Sequence, residues 1–263
     1  MSDQYILYSV LNSVAHIVLN RPGKRNALNL AMRTALWGAI ARAEADPDVR
    51  ALLIYAEGGH FCAGGDIADM RPGELDAEAG RDRIFSATKG AQRLLEMPKP
   101  VVMAVDGCAY GAGCSLVLAA DVVIATARAR FALSFLRIGL IPDLCSLFTL
   151  PRVVGWARAK ALLYSNREID GIEAQQYGMV TELVEPENLH QRSREIAVAM
   201  THLPRTAFAL TKASLAKSLS VDLSAMSDAE ISGQAIAYST RYHADAAKKM
   251  LERSPLEYLW PPQ

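Results

Sequence analysis

Short apolar runs alternate with segments of helical period along the first half of the chain. Residues 5–10 and Val14–Leu19 are β-rich runs separated by Leu11-Asn12-Ser13, which predicts a hairpin. Asn29 stands ahead of an apolar-periodic stretch over Leu30–Ala45 as a helix N-cap, and Asp46-Pro47-Asp48 closes that stretch. Ala51–Ala56 predicts a buried strand ending at Glu57-Gly58-Gly59. Residues 70–80 hold Pro72, Gly73 and the acids Glu74, Asp76 and Glu78, a composition that predicts a mobile loop. Helical spacing resumes over residues 81–96 and stops at Pro98-Lys99-Pro100. Val101–Val105 is the next strand, with Asp106-Gly107 as its turn, followed by a helix running through Ala120 and strands at 122–125 and 130–133. From Trp156 the pattern is almost wholly helical, apart from an extended piece at 180–184, and Pro204 opens a last helical section. Alternation of strand and helix predicts an α/β fold. The expected organisation is a core over residues 1–200 and a helical C-terminal section over residues 201–263.

The chain has 263 residues, of which 51% are hydrophobic, enough to bury a core of one large domain or a domain with an appendage. Its 28 basic and 28 acidic residues cancel, which argues against nucleic acid as the main partner. No run approaches the roughly 20 apolar residues of a membrane span. Residues 1–10 contain Asp3 and Gln4 and lack the basic start and apolar centre of a signal peptide. Cys62, Cys108, Cys114 and Cys145 show no C-x-x-C spacing, as expected of reduced thiols in a cytoplasmic protein. The five histidines form no metal-binding spacing, and His60 reads as a loop residue. The motifs of serine hydrolases, P-loop NTPases and zinc proteases are missing.

The chemistry concentrates in two glycine-rich segments, Phe61-Cys62-Ala63-Gly64-Gly65-Asp66 and Gly107-Cys108-Ala109-Tyr110-Gly111-Ala112-Gly113-Cys114-Ser115. Each follows a strand-like run and opens a helix-like one, an arrangement suited to aiming free backbone N–H groups at a common point. Two such donors can hold one developing oxyanion, the device of acyl-transfer and enolate chemistry.

These segments sit within a longer ordered pattern: Asn20-Arg21-Pro22 with Asn26-Ala27-Leu28, then Phe61-x-Ala63-Gly64-x-Asp66, then Lys99-Pro100-Val101 and Asp106-Gly107-x-Ala109-x-Gly111-x-Gly113. It continues through Ala119-Ala120-Asp121, Phe131, Ile138-Gly139-Leu140-Ile141-Pro142 and Leu150-Pro151-Arg152-Val153-Val154-Gly155, to Arg253-Ser254-Pro255. Over nearly the whole chain the pattern resembles the enoyl-CoA hydratase/isomerase (crotonase) superfamily. The resemblance implies a spiral of ββα units and a helical C-terminal section used in self-association as a trimer or a dimer of trimers. It also implies an acyl-CoA thioester as substrate, with coenzyme A entering as part of that substrate and no permanently bound cofactor. By the same resemblance the N–H groups of Gly65 and Ala112 form the oxyanion pair. Arg25 stands near the coenzyme A phosphates, and Ala27, Ala63, Ile67 and Tyr110 line the ligand channel with Gly113 and Pro142. Asp66 caps its own helix start and forms part of the pocket wall. Glu252 replaces the family's C-terminal phosphate-binding lysine, with Lys248 and Lys249 as nearby substitutes.

The positions of the two hydratase glutamates hold Ser115 and Phe135 in this chain. Ser115 could orient a water but is a poor base, and Phe135 transfers no proton. An acid appears instead at Asp143, a position used by several isomerase branches and by a dehalogenase of the superfamily. The local string from Phe135 to Asp143 looks most like the branch isomerising enoyl-CoA and ring-epoxidised phenylacetyl-CoA. One carboxylate suits a 1,3-proton shift through an enolate. Burial beside Phe135 and Leu144 would raise its pKa, whereas helix-start N–H groups would lower it. The plainer role of Asp143 is capping a helix that starts near Leu144. Three other activities stay open on the sequence: hydration with Asp143 placing water, nucleophilic attack by Asp143, and acyl-CoA binding without turnover. After Asp143, Leu144-Cys145-Ser146-Leu147-Phe148 is bulkier than those branches usually carry, and Cys145 reads as an inert thiol.

Overall fold

Strands β1 (Ile6–Leu11) and β2 (Val14–Leu19) form an antiparallel hairpin whose turn residues, Asn12 and Ser13, both take positive φ, 51° and 60°. That pair of left-handed residues is the geometry whose twist matches the flanking strands. The computed structural model describes residues 5–70 and 76–262. Asn29 caps α1 (Leu30–Ala45) by accepting from the Met32 N–H at 2.8 Å. Strand β3 (Ala51–Ala56) then lies parallel to β2.

Helix α2 spans Ala77–Glu96, with the Asp76 side chain accepting from the Ala79 N–H at 2.8 Å. The loop expected over 70–80 is therefore corrected at its end: Asp76 is a cap, and Glu78 lies in a first helical turn, where an acid is favoured. The middle of that predicted loop, residues 71–75, lies outside the described residues. Strand β4 (Val101–Val105) continues the sheet, and β5 (Cys108–Tyr110) leads into a short helix α3 (Ala112–Val117), which ends before the expected Ala120. Strands β6 (Val122–Thr126) and β7 (Arg130–Ala132) follow. Then come α4 (Ser146–Val154), α5 (Trp156–Ser165), β8 (Ile169–Asp170) and α6 (Gly171–Gln176). Strand β9 (Glu182–Val184) and helix α7 (Leu189–Met200) complete the body.

The main sheet has the order β1-β2-β3-β4-β6-β9, parallel after the first hairpin; β5, β7 and β8 form a second, smaller sheet. Period-two alternation sends side chains of the main sheet to two cores. Ile17, Leu19, Leu52, Ile54, Val101 and Met103 face the side that also holds Met32, Leu36 and Ile40 of α1. Val14, Ala51, Leu53, Val102, Ala104 and Ile124 face α7, through Leu189, Ile196 and Met200. With both faces covered, the strands read as continuous apolar runs, as parallel sheets do.

Helices α8 (Arg205–Lys217), α9 (Leu223–Tyr238) and α10 (Arg241–Leu251) contain no buried residue. Polar contacts hold the start of this section to the body. Lys212 pairs with Asp121 at 2.6 Å, Arg50 donates to the Leu203 carbonyl at 3.0 Å, and Arg205 donates to that of Pro47 at 2.9 Å. No helix among the described residues is long and apolar enough to cross a membrane.

Candidate active site

The site is assembled from four chain segments laced together through their backbones. Ala63 N–H donates to Arg25 O at 2.9 Å, Leu28 N–H to Gly64 O at 2.7 Å, and Asp66 N–H to Leu28 O at 3.1 Å. On its other side the first glycine-rich segment meets β5: Cys62 N–H donates to Cys108 O at 2.8 Å and Tyr110 N–H to Cys62 O at 2.9 Å. Gly111 N–H then donates to Ala132 O at 2.8 Å, tying in β7 and the 3-10 turn Ser134–Ile138 that carries Phe135.

Two glycines make this lacing possible. A Cβ on Gly64, where φ is +97°, would lie 2.8 Å from the Tyr110 carbonyl oxygen. A Cβ on Gly113 would lie 2.8 Å from the Cys62 Cβ and closer still to the Cys62 carbonyl oxygen. Both distances are below those real Cβ atoms adopt, so only glycine lets the segments approach. Among the described residues no backbone oxygen accepts from the N–H of Gly65 or of Ala112. Ala112 is the first residue of α3, where the N–H groups have no partner within the helix.

The expected lining residues fall in different places. Ala27, Ala63, Tyr110 and Pro142 are half-buried, and Gly113 is buried. Ile67 is 64% exposed. Asp66 accepts from Ala68 N–H at 3.1 Å, the expected local cap, and pairs with Arg21 at 2.6 Å; the Arg21 hydrogen bond holds its carboxyl below the usual range. Arg25 is exposed and lines a cavity of about 460 Å³ with His60, Tyr110, Arg128 and Arg130. The Tyr110 hydroxyl donates to Glu168, and burial followed by that carboxylate pushes its pKa up to about 12. His60 Nδ1 accepts from the Cys108 N–H at 3.2 Å. Lys248 and Lys249 pair with Glu252 and Glu257, at 3.9 and 3.3 Å.

Ser115 is fully buried, and its hydroxyl donates to the Gly111 carbonyl at 3.2 Å. Its proton is engaged in the turn that leads into α3. Phe135 is 7% exposed and lies 3.9 Å from where a Gly111 Cβ would stand.

Asp143 does not cap the following helix. Helix α4 begins at Ser146 with Cys145 as its N-cap residue, and the backbone carbonyl of Asp143 accepts from the Ser146 N–H at 3.0 Å and from its hydroxyl at 2.7 Å. Leu144 and Cys145 both take left-handed φ, 50° and 64°, and this local reversal separates the aspartate side chain from the helix start. The carboxyl is left with its Oδ1 buried and without a hydrogen-bond partner. Burial pushes its pKa up to about 6, against smaller opposing effects of the Arg33 charge and its own N–H. A carboxyl near 6 serves both as base and as acid around neutral pH.

Two neighbours went unnoticed in the sequence. Met70 packs its methyl 2.7 Å from the position of a Gly65 Cβ, and Arg33 of α1 buries its guanidinium with Nη2 unpartnered. Cys62 and Cys114 are buried thiols pushed up to about 12, and Cys145 Sγ lies 4.0 Å from the Thr88 carbonyl of α2. None of these is a thiolate nucleophile. No group of His, Cys, Asp and Glu suited to a metal occurs among the described residues.

The sequence profile of the family described as enoyl-CoA hydratase/isomerase matches residues 10–258. A 1,2-epoxyphenylacetyl-CoA isomerase of Escherichia coli K12 is 32% identical over 96% of this chain and 97% of its own length. A trans-2-decenoyl-[acyl-carrier-protein] isomerase of Streptococcus mutans is 37% identical over 73% of each chain. The crystal structure of an enoyl-CoA hydratase/isomerase from Cupriavidus metallidurans CH34 superimposes with a TM-score of 0.94 at 38% identity, covering 100% of this chain and 99% of that one.

Proposed function

The chain belongs to the enoyl-CoA hydratase/isomerase family, and from that premise we propose that it isomerises an acyl-CoA by moving a double bond or rearranging the acyl group. The observation that carries this reading is Asp143: a half-buried aspartate whose Oδ1 is buried and unpartnered, held near the pKa a proton shuttle needs. In the proposed reaction the Gly65 and Ala112 N–H groups bind the thioester carbonyl oxygen. Asp143 takes a proton from one carbon of the acyl chain, the electron pair moves into the enolate held by the two donors, and the proton returns at another carbon. Enolate charge is thereby met by dipoles already in place, an effect worth about 10²–10³ in rate per donor.

Hydration is the less supported alternative, because Ser115 and Phe135 supply no second carboxyl to activate water. Arg25 is assigned to the coenzyme A phosphates, and coenzyme A arrives with the substrate. The unburied helices α8–α10, with Leu215, Leu223, Ile231, Met250 and Leu251 exposed, are assigned to packing between copies in a trimer or dimer of trimers.

The test is incubation in deuterated water with 3-enoyl-CoA, 2-enoyl-CoA and an arylacetyl-CoA, followed by mass spectrometry of the thioesters. Double-bond migration or deuterium at carbon, abolished in Asp143→Asn, supports isomerisation. A gain of water reinstates hydration. Tight binding with no change in any thioester leaves a binding protein.

A further inference from the structure

Three cations share one cavity where the helical section meets the body, at the end of β4 opposite the glycine-rich turns. The cavity holds about 450 Å³ and is lined by Arg50, Lys99 and Arg205 together with the apolar side chains of Val49, Pro98, Met200, Leu203, Phe208 and Leu210. The three charged groups converge on the turn that follows α1. Lys99 Nζ donates to the Ala43 and Asp46 carbonyls at 2.7 and 2.6 Å, and Arg205 donates to that of Pro47 at 2.9 Å. Arg50, at the end of the same turn, reaches across to the Leu203 carbonyl at 3.0 Å.

Among the described residues no carboxylate pairs with any of the three. The acids in reach are engaged elsewhere: Glu44 pairs with Arg93 at 2.9 Å, Glu257 with Lys249 at 3.3 Å, and Asp46 Oδ1 accepts from the Asp48 N–H at 2.9 Å. Backbone carbonyls orient the cations without cancelling their charge. Burial lowers the pKa of both Arg50 and Lys99, and the Arg205 charge adds to it, so like charges are held close together at a cost. Each guanidinium donates from Nη2 to one carbonyl and carries further N–H donors, in a fork that fits a carboxylate. An anion relieves the repulsion, and the apolar walls suit an apolar body attached to it.

We propose that this cavity is a second, non-catalytic site for a medium-chain carboxylate, its head among Arg50, Lys99 and Arg205 and its tail against Met200 and Phe208. The occupant bridges the body, which supplies Arg50 and Lys99, and helix α8, which supplies Arg205. The site is separate from the Gly65 and Ala112 donors and holds whatever reaction they serve.

Decanoate is the probe, titrated into the full chain labelled with 13C at its methionine methyls. Met200 reports on this cavity and Met70, beside Gly65, on the oxyanion segment; the two resonances are those lost in Met200→Leu and Met70→Leu. A saturable displacement of the Met200 resonance is expected, independent of any change at Met70. Its midpoint should rise at least about tenfold in Arg50→Gln and in Arg205→Gln. Decyltrimethylammonium, the same tail on a cationic head, is expected to leave Met200 unmoved. The comparison of the two amphiphiles on the wild-type protein stands without any variant that loosens α8. An unmoved Met200 resonance overturns the proposal, whatever Met70 does. So does a midpoint unchanged in both arginine variants, or equal displacement by the cationic amphiphile.

Discussion

Tyr110 donates its backbone N–H to the carbonyl of Cys62 at 2.9 Å, so main-chain hydrogen bonds set the separation of the two glycine-rich turns. The His60 imidazole adds one side-chain bond across them, and Gly64 and Gly113 permit the close approach.

Gly113→Ala is therefore expected to wedge the turns apart. Its methyl would meet Cys62, and the repacking should cost about 1–3 kcal/mol, with thioester turnover falling well beyond what that loss of stability explains. Thermal unfolding together with acyl-CoA binding checks it; an unchanged Tm with full turnover contradicts the wedge.

Asp143→Asn should lose about 10²–10⁴ in turnover while the protein becomes more stable near pH 7. The sign follows from proton linkage. The folded carboxyl titrates near 6, above its unfolded value, so the folded state binds more protons between about 4 and 6 and stability falls as pH rises through that window. At neutral pH the ionised group then costs up to about 2–3 kcal/mol, which an uncharged amide avoids. Denaturant unfolding at pH 4 and pH 7 is the measurement, with the gain expected only at pH 7.

The same titration predicts an acid limb in the rate. Above about pH 6 Asp143 is ionised and accepts a proton; below it kcat/KM should fall about tenfold per unit. A profile flat from pH 5 to 8 would remove Asp143 as the base.

The Lys212–Asp121 pair, with side chains 9% and 22% exposed, joins the helical section to the start of β4, where Asp121 also accepts from the Val101 N–H at 2.8 Å. Burial raises the Asp121 carboxyl and lowers the Lys212 amine, so desolvation outweighs pairing at both groups. Lys212→Ala leaves Asp121 unpaired and should cost about 3–5 kcal/mol, whereas replacing both residues with apolar ones should cost much less. A double-mutant cycle by denaturant unfolding measures the difference.

The sheet and the glycine-rich turns were legible because their signals are local. Asn12-Ser13 between two β runs, Asn29 before an apolar-periodic stretch and Asp106-Gly107 after Val105 each specify one backbone geometry. The start of α2 was misread because Pro72, Gly73 and three acids carry the composition of a loop, while Asp76 looks like any other acid until its cap geometry is seen. Asp143 resembled a cap for the reverse reason: helix α4 starts at Ser146, after two left-handed residues that are not glycine and so leave no mark in the sequence. Arg33 was invisible because a single arginine on a helix ordinarily reads as solvated, and its burial depends on tertiary packing such as that of α1 against α2. Trp37 packing directly onto Gly90 draws the two helices together at that seam.

The backbone lacing of the two turns divides the molecule into a part that inheritance must copy and a part it can edit. Any side chain at Gly64 or Gly113 would press into the facing segment, so glycine is the residue that fits at both positions. The stretch from Phe135 to Phe148 carries Asp143, the proposed proton-transfer group, and neighbouring bulky side chains on a segment that makes none of those wedge contacts. Under the proposed function, substitutions in this stretch can therefore change acyl selectivity while leaving in place the backbone proposed to grip the thioester.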